Sequence, residues 1–562
     1  MNSSEETNLL LRAQSWLRHD PDPITRNEIK KLLDTSEVKE IRELFQGHLQ
    51  FGTAGMRGAM GPGPNRMNRV TVRRLAYGIS TYLNASGTVV VGYDARKNSK
   101  IFAKDMCSVL NANNIAVFLF PRYVPTPVLA FAVRHLKVDL GIMITASHNP
   151  ASDNGCKVFL KDGAQLRTPI DEEIETLIQS SPLPPITIPE AKEITTISNG
   201  DVWQSYCERI ASSVDGGSPE LRIAYSPLHG VAWDTINTVF TSSNSGQLIP
   251  VNSQVDPDPD FPTTSFPNPE EEGVMDLLLA LAIQTDADLA IANDPDGDRL
   301  AAAIPTKNGD WRILSGDEIG ALLFDRMAEK TSGNARKVVS TIVCSSLVPK
   351  IAAAKGIHHK ETLTGFKWII PEAYRNDSET PIFCYEEALG YATTEAVRDK
   401  DGIAAALLLA EVLANCQKNG KSILEKLEEL SLRYGHHVTT TRRVRFKGAQ
   451  SENHLQSVMQ GLREKPPSEF SLGEVTSVMD YLQSDEHSSL PSANLVKLEI
   501  GKHVRALVRP SGTEPMIKIY MEMVTSVSES SQIAKAEIQA IETLEVIGSE
   551  IETLLRQYVI GT

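Results

Sequence analysis

This chain contains no Cys-x-x-Cys pair, no run of about 18 apolar residues and no surplus of positive charge. Its six cysteines, Cys107, Cys156, Cys207, Cys344, Cys384 and Cys416, are widely scattered, so neither a zinc site nor a disulfide framework is expected. The absence of a long apolar run excludes a membrane-spanning helix as an expectation. A formal net charge of -15 argues against an extended nucleic-acid or anionic-membrane surface. It leaves room for a small anionic substrate, provided that Arg and Lys are concentrated in one place. The opening Met1-Asn2-Ser3-Ser4-Glu5-Glu6 lacks the basic and apolar stretches of a signal peptide, and a reducing, cytoplasmic setting is expected.

What is present is ordinary globular composition, 41% hydrophobic and 23% charged. At 562 residues the chain exceeds one core and should divide into roughly three to five domains. Helical patterning over Leu9 to Trp16 and Ile29 to Leu33 precedes a glycine-rich loop, Phe51 to Gly58. A helix-like stretch from Val70 to Leu83 leads to the apolar run Thr88 to Tyr93, which ends in Asp94. Residues 101–112 read as helix, and the runs Ile115 to Phe120 and Leu140 to Ile144 read as strands. Alternating apolar strands and helices imply parallel, helix-covered sheets. Proline-rich Ser181 to Ile186 marks a first boundary. The alternation returns with Leu221 to Tyr225 and Ala287 to Ala292, then with Lys337 to Val343 and the helix Ile403 to Asn415. Three βα blocks of similar size therefore suggest a repeat of architecture. From about Gly435 the pattern changes. Arg505 to Arg509 and Met516 to Met521 alternate like half-exposed strands, and Ser531 to Leu555 is mostly helical, which predicts an α+β closing domain.

Four segments carry chemistry. Thr145-Ala146-Ser147-His148-Asn149-Pro150 follows a buried strand, and Asn-Pro forces a turn that presents the Ser147 hydroxyl beyond the sheet, where ligands of open α/β domains bind. A turn serine is commonly nothing more, so the other segments matter. Asp294-Pro295-Asp296-Gly297-Asp298-Arg299 places three carboxylates at i, i+2 and i+4 in a loop bent by Gly297, a set able to converge on one hard divalent cation such as Mg²⁺. Asp256-Pro257-Asp258-Pro259-Asp260 has the same spacing without a glycine or preceding strand, and its prolines should hold it extended as a solvated linker. Arg299, directly after the acids, would serve an anion held at the metal.

Arg509-Pro510-Ser511-Gly512-Thr513 combines a guanidinium, hydroxyls and a turn whose amides form an anion nest, which favours phosphate capture over a plain hairpin. Glu386 and Glu387 end an apolar strand and could accept hydrogen bonds from sugar hydroxyls. Lys400, in Asp399-Lys400-Asp401-Gly402, is either a substrate contact or part of a polar helix cap.

In their order along the chain these four loops resemble those of the α-D-phosphohexomutase family, the phosphoglucomutases, phosphomannomutases and their relatives. The resemblance covers essentially the whole chain. It implies three similar α/β domains with mixed, helix-covered sheets and a C-terminal α+β domain around a central cleft. The boundaries expected are 1–195, 196–313, 314–434 and 435–562. It further implies that Ser147 carries a phosphoryl group and, with Asp294, Asp296 and Asp298, holds one Mg²⁺ per chain. Arg57, Lys157 and Arg299 would be cations near the transferring group. His148 would assist proton transfer or hold the loop. Thr364, Gly365 and Lys367 resemble the loop that reads sugar orientation, Glu386 and Glu387 the sugar loop, and Arg509, Ser511, Gly512 and Thr513 the phosphate loop. Lys400 would touch substrate.

The implied reaction passes through a sugar bisphosphate of charge about -4, which needs gathered cations. Such a bisphosphate is also the expected activator that primes Ser147. Ala388 stands where many relatives have Ser, and the surrounding residues look most like the branch of phosphopentomutases and glucose-1,6-bisphosphate synthases. The expectation is a cytoplasmic, monomeric mutase acting on glucose or pentose phosphates, with bisphosphate synthase as the alternative. A metal-dependent sugar phosphatase is less favoured, because a sugar loop would then lack a purpose. A non-catalytic sugar-phosphate sensor would need no nucleophile.

Overall fold

The computed structural model describes residues 3–560 apart from 53–54, 189–193, 199, 217, 377, 447–450, 483–489 and 512–515. The chain divides into two compact units, residues 1–314 with 388–414 and residues 315–387 with 415–562.

The first unit opens with helices Ser3–His19, Pro23–Asp34 and Val38–Phe45, packed around Trp16, Ile29, Ile41 and Phe45. A first sheet follows, built from β1 (Phe51–Gly52), β2 (Gly55–Ala59), β3 (Thr88–Tyr93), β4 (Ala116–Leu119), β5 (Leu140–Ile144), β6 (Asp153–Leu160) and β7 (Ile194–Thr196), in the order β1-β2-β6-β5-β3-β4-β7. β3 pairs parallel with β4 and β5, and the continuous apolar runs of β3 and β5 are buried on both faces. β6 runs antiparallel to β5, and β2 antiparallel to β6, so the sheet is mixed. Strand alternation alone suggests a parallel sheet, but residues 145–152 are too short a connection for a crossover helix.

The second sheet repeats this plan with β8 (Arg222–Ser226), β9 (Gln247–Pro250), β10 (Leu289–Ala292), β11 (Ala301–Pro305) and β12 (Trp311–Ile313), ordered β12-β11-β10-β8-β9. β8, β9 and β10 are parallel, and β11 returns antiparallel to β10. In the second unit β13 (Arg336–Thr341) lies parallel between β14 (His358–Thr362) and β15 (Thr380–Glu386). β16 (Gly390–Ala392) belongs to the first unit, where Gly390 bridges Arg299.

The closing sheet is antiparallel: β17 (His436–Arg445), β18 (Glu469–Phe470), β19 (Gly473–Asp480), β20 (Val496–Ile500), β21 (Val504–Pro510) and β22 (Met516–Thr525), ordered β17-β22-β21-β20-β19-β18. Helices Ser451–Glu464 and Ile533–Ile560 cover one face around Val458, Leu462, Ile547 and Ile551. β21 and β22 are more buried than their alternation suggests. Their second face is covered too, with Leu507 and Tyr520 packed against Ile342, Val343 and Leu495. No helix among the described residues is long and apolar enough to cross a membrane.

A buried polar knot joins this sheet to the loop after β13. Glu522 accepts hydrogen bonds from Ser345 Oγ at 2.6 Å and Ser346 N at 2.9 Å, contacts His437 Nδ1 at 2.8 Å and pairs with Arg505 Nε at 2.6 Å. Burial alone would raise the Glu522 pKa, but the His437 hydrogen bond and the Arg505 charge outweigh it and bring it to about 2. A folded pKa below the unfolded one adds stability above about pH 4.3, and that stability is lost as pH falls toward 2. Glu522→Gln is therefore expected to cost about 3 kcal/mol near neutral pH. Denaturant titrations should also show a flatter acid limb for the variant than for the parent.

Candidate functional site

Ser147 lies in the loop that leaves β5. It is 1% exposed and its φ of 54° falls in the left-handed region, which a non-glycine residue occupies only when its surroundings hold it there. Its N–H donates to Thr145 Oγ1 at 2.8 Å. Its hydroxyl donates to Asp294 Oδ2 at 2.8 Å and sits 3.1 Å from His148 Nδ1. β6, antiparallel to β5, and β2, the next strand out, supply cations. β6 carries Lys157, and β2 places Arg57 opposite Gly155, with Nη1 3.4 Å from Asn149 Oδ1.

The loop between β10 and β11 carries the acids. Gly297 has φ of 73° and its N–H donates to Asp294 O at 2.8 Å, a reversal that a side chain would resist. Gly230 lets the loop after β8 lie against this turn, since a Cβ there would meet the Pro295 backbone at 2.3 Å. Asp294, Asp296 and Asp298 are all 0% exposed, and their nearest oxygens lie within 4.8 Å of one another. Lys157 Nζ donates to Asp296 Oδ2 at 2.6 Å and also to Asp298, while Lys400 Nζ lies 3.4 Å from Asp298 Oδ2. Thr126, at the start of helix Thr126–His135, donates its hydroxyl to Asp296 Oδ2 at 2.5 Å and its N–H to Asp296 O at 2.8 Å.

Crowded negative charge shows in the titration of these groups. Burial first, then the charges of Asp296 and Asp298, push Asp294 up to about 8. Asp296 is also buried, but Lys157 overrides the burial and holds it well below the usual carboxylate range. Burial, with Arg299 and Arg57 nearby, drives His148 well below its ordinary value and leaves a neutral imidazole near pH 7. Asp296 Oδ1 and Asp298 Oδ1 are buried with no hydrogen-bond partner among the described residues. Three hard oxygen donors this close, two of them with an unsatisfied oxygen, fit a small divalent cation.

Arg299 completes the group: its N–H donates to Asp294 Oδ1 at 3.0 Å and its Nη1 lies 3.6 Å from Glu270 Oε2. The first unit thus gathers Ser147, His148, Arg57, Lys157, Arg299, Lys400 and the three aspartates. Among the described residues, this trio is the acidic group drawn together tightly enough for a metal, and Asp256 and Asp260 are exposed.

The remaining candidates lie in the second unit and are described within it. Glu386, buried, ends β15, and Glu387 accepts from Thr341 Oγ1 at 3.2 Å. Burial, then Glu386 and Asp317, raise Glu387 to about 7. Arg509 Nη2 donates to Tyr520 Oη at 3.2 Å. Gly365, with φ of 111°, precedes helix Phe366–Ala373, flanked by half-buried Thr364 and by Lys367, whose Nζ lies 5.8 Å from the Trp368 ring centre. Ser511 N–H donates to Met516 O at 2.8 Å, and Gly512 and Thr513 lie outside the described residues.

Three contributors escape the motif reading. Thr126 carries a signal in Pro125-Thr126-Pro127, a helix start. Gln165 Nε2 donates to Asp399 at 2.7 Å, beside Lys400 and with no local pattern. Arg96, two residues after the strand-ending Asp94, grips the Ser147 loop through main-chain carbonyls.

A hydroxyl, clustered carboxylates and converging cations on repeated α/β scaffolds are the parts of a phosphoryl-transfer enzyme. Family models described as phosphoglucomutase/phosphomannomutase alpha/beta/alpha domains I, II and III match residues 48–183, 204–308 and 315–434, and the model of the C-terminal domain matches 493–540. The chain belongs to the phosphoglucomutase/phosphomannomutase family. It is 33% identical to a human phosphopentomutase over 572 aligned positions, covering 92% of each chain. It is 34% identical to a Staphylococcus aureus phosphoglucomutase, covering 90% of this chain and 95% of that one. The crystal structure of the Paramecium phosphoprotein pp63/parafusin shares the fold, with a TM-score of 0.69 and 19% identity over 92% of this chain and 96% of that one.

Proposed function

We propose that this enzyme, a sugar-phosphate mutase, moves phosphoryl groups between the two ends of glucose or pentose phosphates through phosphorylated Ser147 and a sugar bisphosphate. The observation that carries this reading is the Ser147 hydroxyl, 2.8 Å from one member of a buried aspartate trio whose other members share Lys157. Asp294, Asp296, Asp298 and an oxygen at Ser147 would hold one Mg²⁺, which supplies positive charge against the transferring phosphoryl group.

In the forward half-reaction the bond between phosphorus and Ser147 Oγ breaks as a bond to a sugar hydroxyl forms. That hydroxyl gives up its proton, and Oγ finishes protonated. His148 Nδ1, 3.1 Å from Oγ and neutral at physiological pH, is the group placed to deliver or remove this proton. Lys157, Arg57, Arg299 and Lys400 offset the charge of the bisphosphate, and the reverse half-reaction returns its other phosphate to Ser147. Glu386 and Glu387 would accept from sugar hydroxyls, Thr364, Gly365 and Lys367 would read sugar orientation, and Arg509 with the Ser511–Thr513 loop would hold the phosphate that is not reacting. The six buried free thiols support a reducing, cytoplasmic setting.

The test is incubation with glucose 1-phosphate or ribose 1-phosphate, Mg²⁺ and a catalytic amount of sugar bisphosphate. The isomeric 6- or 5-phosphate should accumulate. Inorganic phosphate without isomer would replace this reading with a phosphatase.

Ala388 bears on sugar choice. Gaining one hydroxyl contact is worth about 0.5–1.5 kcal/mol. Ala388→Ser should therefore change the ratio of hexose to pentose kcat/KM by about 2- to 10-fold. An unchanged ratio would move selectivity to other residues.

A further inference from the structure

The Ser147 turn is strained and buried, so something must hold it. Arg96 does so from beneath. Its Nη2 donates to Ser147 O at 2.6 Å and Asn149 O at 2.5 Å, and its Nη1 to Pro150 O at 2.7 Å and Asp153 O at 3.2 Å. Nε faces Asp94 Oδ2 at 3.4 Å. Arg96 is 4% exposed and its terminal N–H groups are committed to main-chain carbonyls. It is thereby unlike Arg57 and Arg299, the cations proposed to face phosphate.

Asp94 holds the other side of the same turn. It accepts from Arg96 N at 3.0 Å and Ser99 Oγ at 2.6 Å, and the Thr145 hydroxyl donates to it while accepting from Ser147 N–H at 2.8 Å. Both the N–H and the C=O of Ser147 are thus tied, through Thr145 and Arg96, to one pair of residues just beyond β3.

The exposed face of this clamp is closed by the segment that its prolines made look like a linker. Phe261 is 3% exposed, has φ of 46°, and lays its ring 4.9 Å from the Arg96 guanidinium carbon, while the neighbouring Asp260 pairs with Lys97. The same segment reaches the metal-loop side of the site: Asp258 N–H donates to His229 O at 3.1 Å, and Thr263 Oγ1 lies 2.8 Å from His229 Nε2. His229 precedes Gly230, which packs on Pro295.

Resting on the mutase reading, we propose that Arg96 is the positioning residue that sets the Ser147 hydroxyl in its reacting place, and that Phe261 locks Arg96 there. Lysine keeps the charge but lacks the planar fork needed to span several carbonyls. A nucleophile displaced by about 1 Å costs about 100-fold in rate.

The experiment compares full-length Arg96→Lys, Phe261→Leu and Phe261→Tyr with Arg73→Lys, a control in which an equally buried arginine binds Asp105 and the carbonyls of Pro185 and Ile186. Arg96→Lys should lower kcat about 100-fold with KM changed by less than about threefold. Arg73→Lys should lower thermal stability and leave kcat unchanged. Phe261→Leu should lower kcat about tenfold, and Phe261→Tyr, which keeps the ring, should stay within about twofold of the parent. Phosphoryl uptake by Ser147 from a sugar bisphosphate, followed by intact mass, should slow in parallel with kcat. Parent-like kcat in Arg96→Lys, or an equal loss in Arg73→Lys, would overturn the proposal. If Arg96→Lys does not fold, the two Phe261 variants decide, and equal rates in both would overturn it. A parent protein without turnover would instead remove the mutase reading itself.

Discussion

Ser147→Ala should yield a folded protein whose mutase turnover is lower by more than about 1,000-fold. The argument is one of atoms. Every step assigned to this residue uses its Oγ as the oxygen that carries phosphorus, and alanine has none. Folding should be nearly indifferent. Ala and Ser meet the same backbone restriction at a φ of 54°, and the turn is held by Thr145 and Arg96 through main-chain atoms that the substitution retains. The lost hydrogen bond to Asp294 is worth about 1 kcal/mol. Steady-state rates, intact mass after exposure to a sugar bisphosphate, and a thermal melt together check this. A variant within tenfold of the parent kcat would remove Ser147 as the nucleophile.

Asp296→Asn should raise the Mg²⁺ concentration for half-maximal activity at least about tenfold. Asp296 has its Oδ2 shared between Lys157 and Thr126 and its Oδ1 left without a partner among the described residues. Asparagine removes the charge and brings an amide that competes with Lys157 as a donor. The effect should be visible without turnover: the rise in Tm on adding Mg²⁺ should shrink, and calorimetric titration with Mg²⁺ should weaken alongside it. An unchanged Mg²⁺ titration by calorimetry would take Asp296 out of the ligand set.

The strands and helices around the site were legible because they are long and strongly patterned. Val89 to Val91 and Ile142 to Ile144 read as buried strands and are buried strands, and the helix at Gly402–Lys418 is almost uninterruptedly apolar. The serine and aspartate loops were legible because each packs its chemistry into six consecutive residues. Arg96 was not, since its partners lie 51 to 57 positions away and are main-chain oxygens, which leave no mark in a sequence. Thr126 meets Asp296 across 170 positions, and Gln165 meets Asp399 across 234. The segment before Phe261 misled for a related reason: proline and aspartate announce exposure, and two of the acids are exposed, but the phenylalanine that follows is a plug. In the closing sheet, alternation failed to reveal that Leu507 and Tyr520 are covered, because the residues covering them arrive from elsewhere in the chain.

The first unit is discontinuous: residues 388–414 return to it after an excursion of more than seventy positions. During synthesis the nascent N-terminal portion therefore waits. Until the ribosome has passed residue 400, the emerging polypeptide lacks Lys400 beside Asp298, Asp399 beside Gln165 and the Gly390 bridge to Arg299. A gene truncated at codon 314 would encode the serine and all three aspartates, yet leave their cradle unfinished.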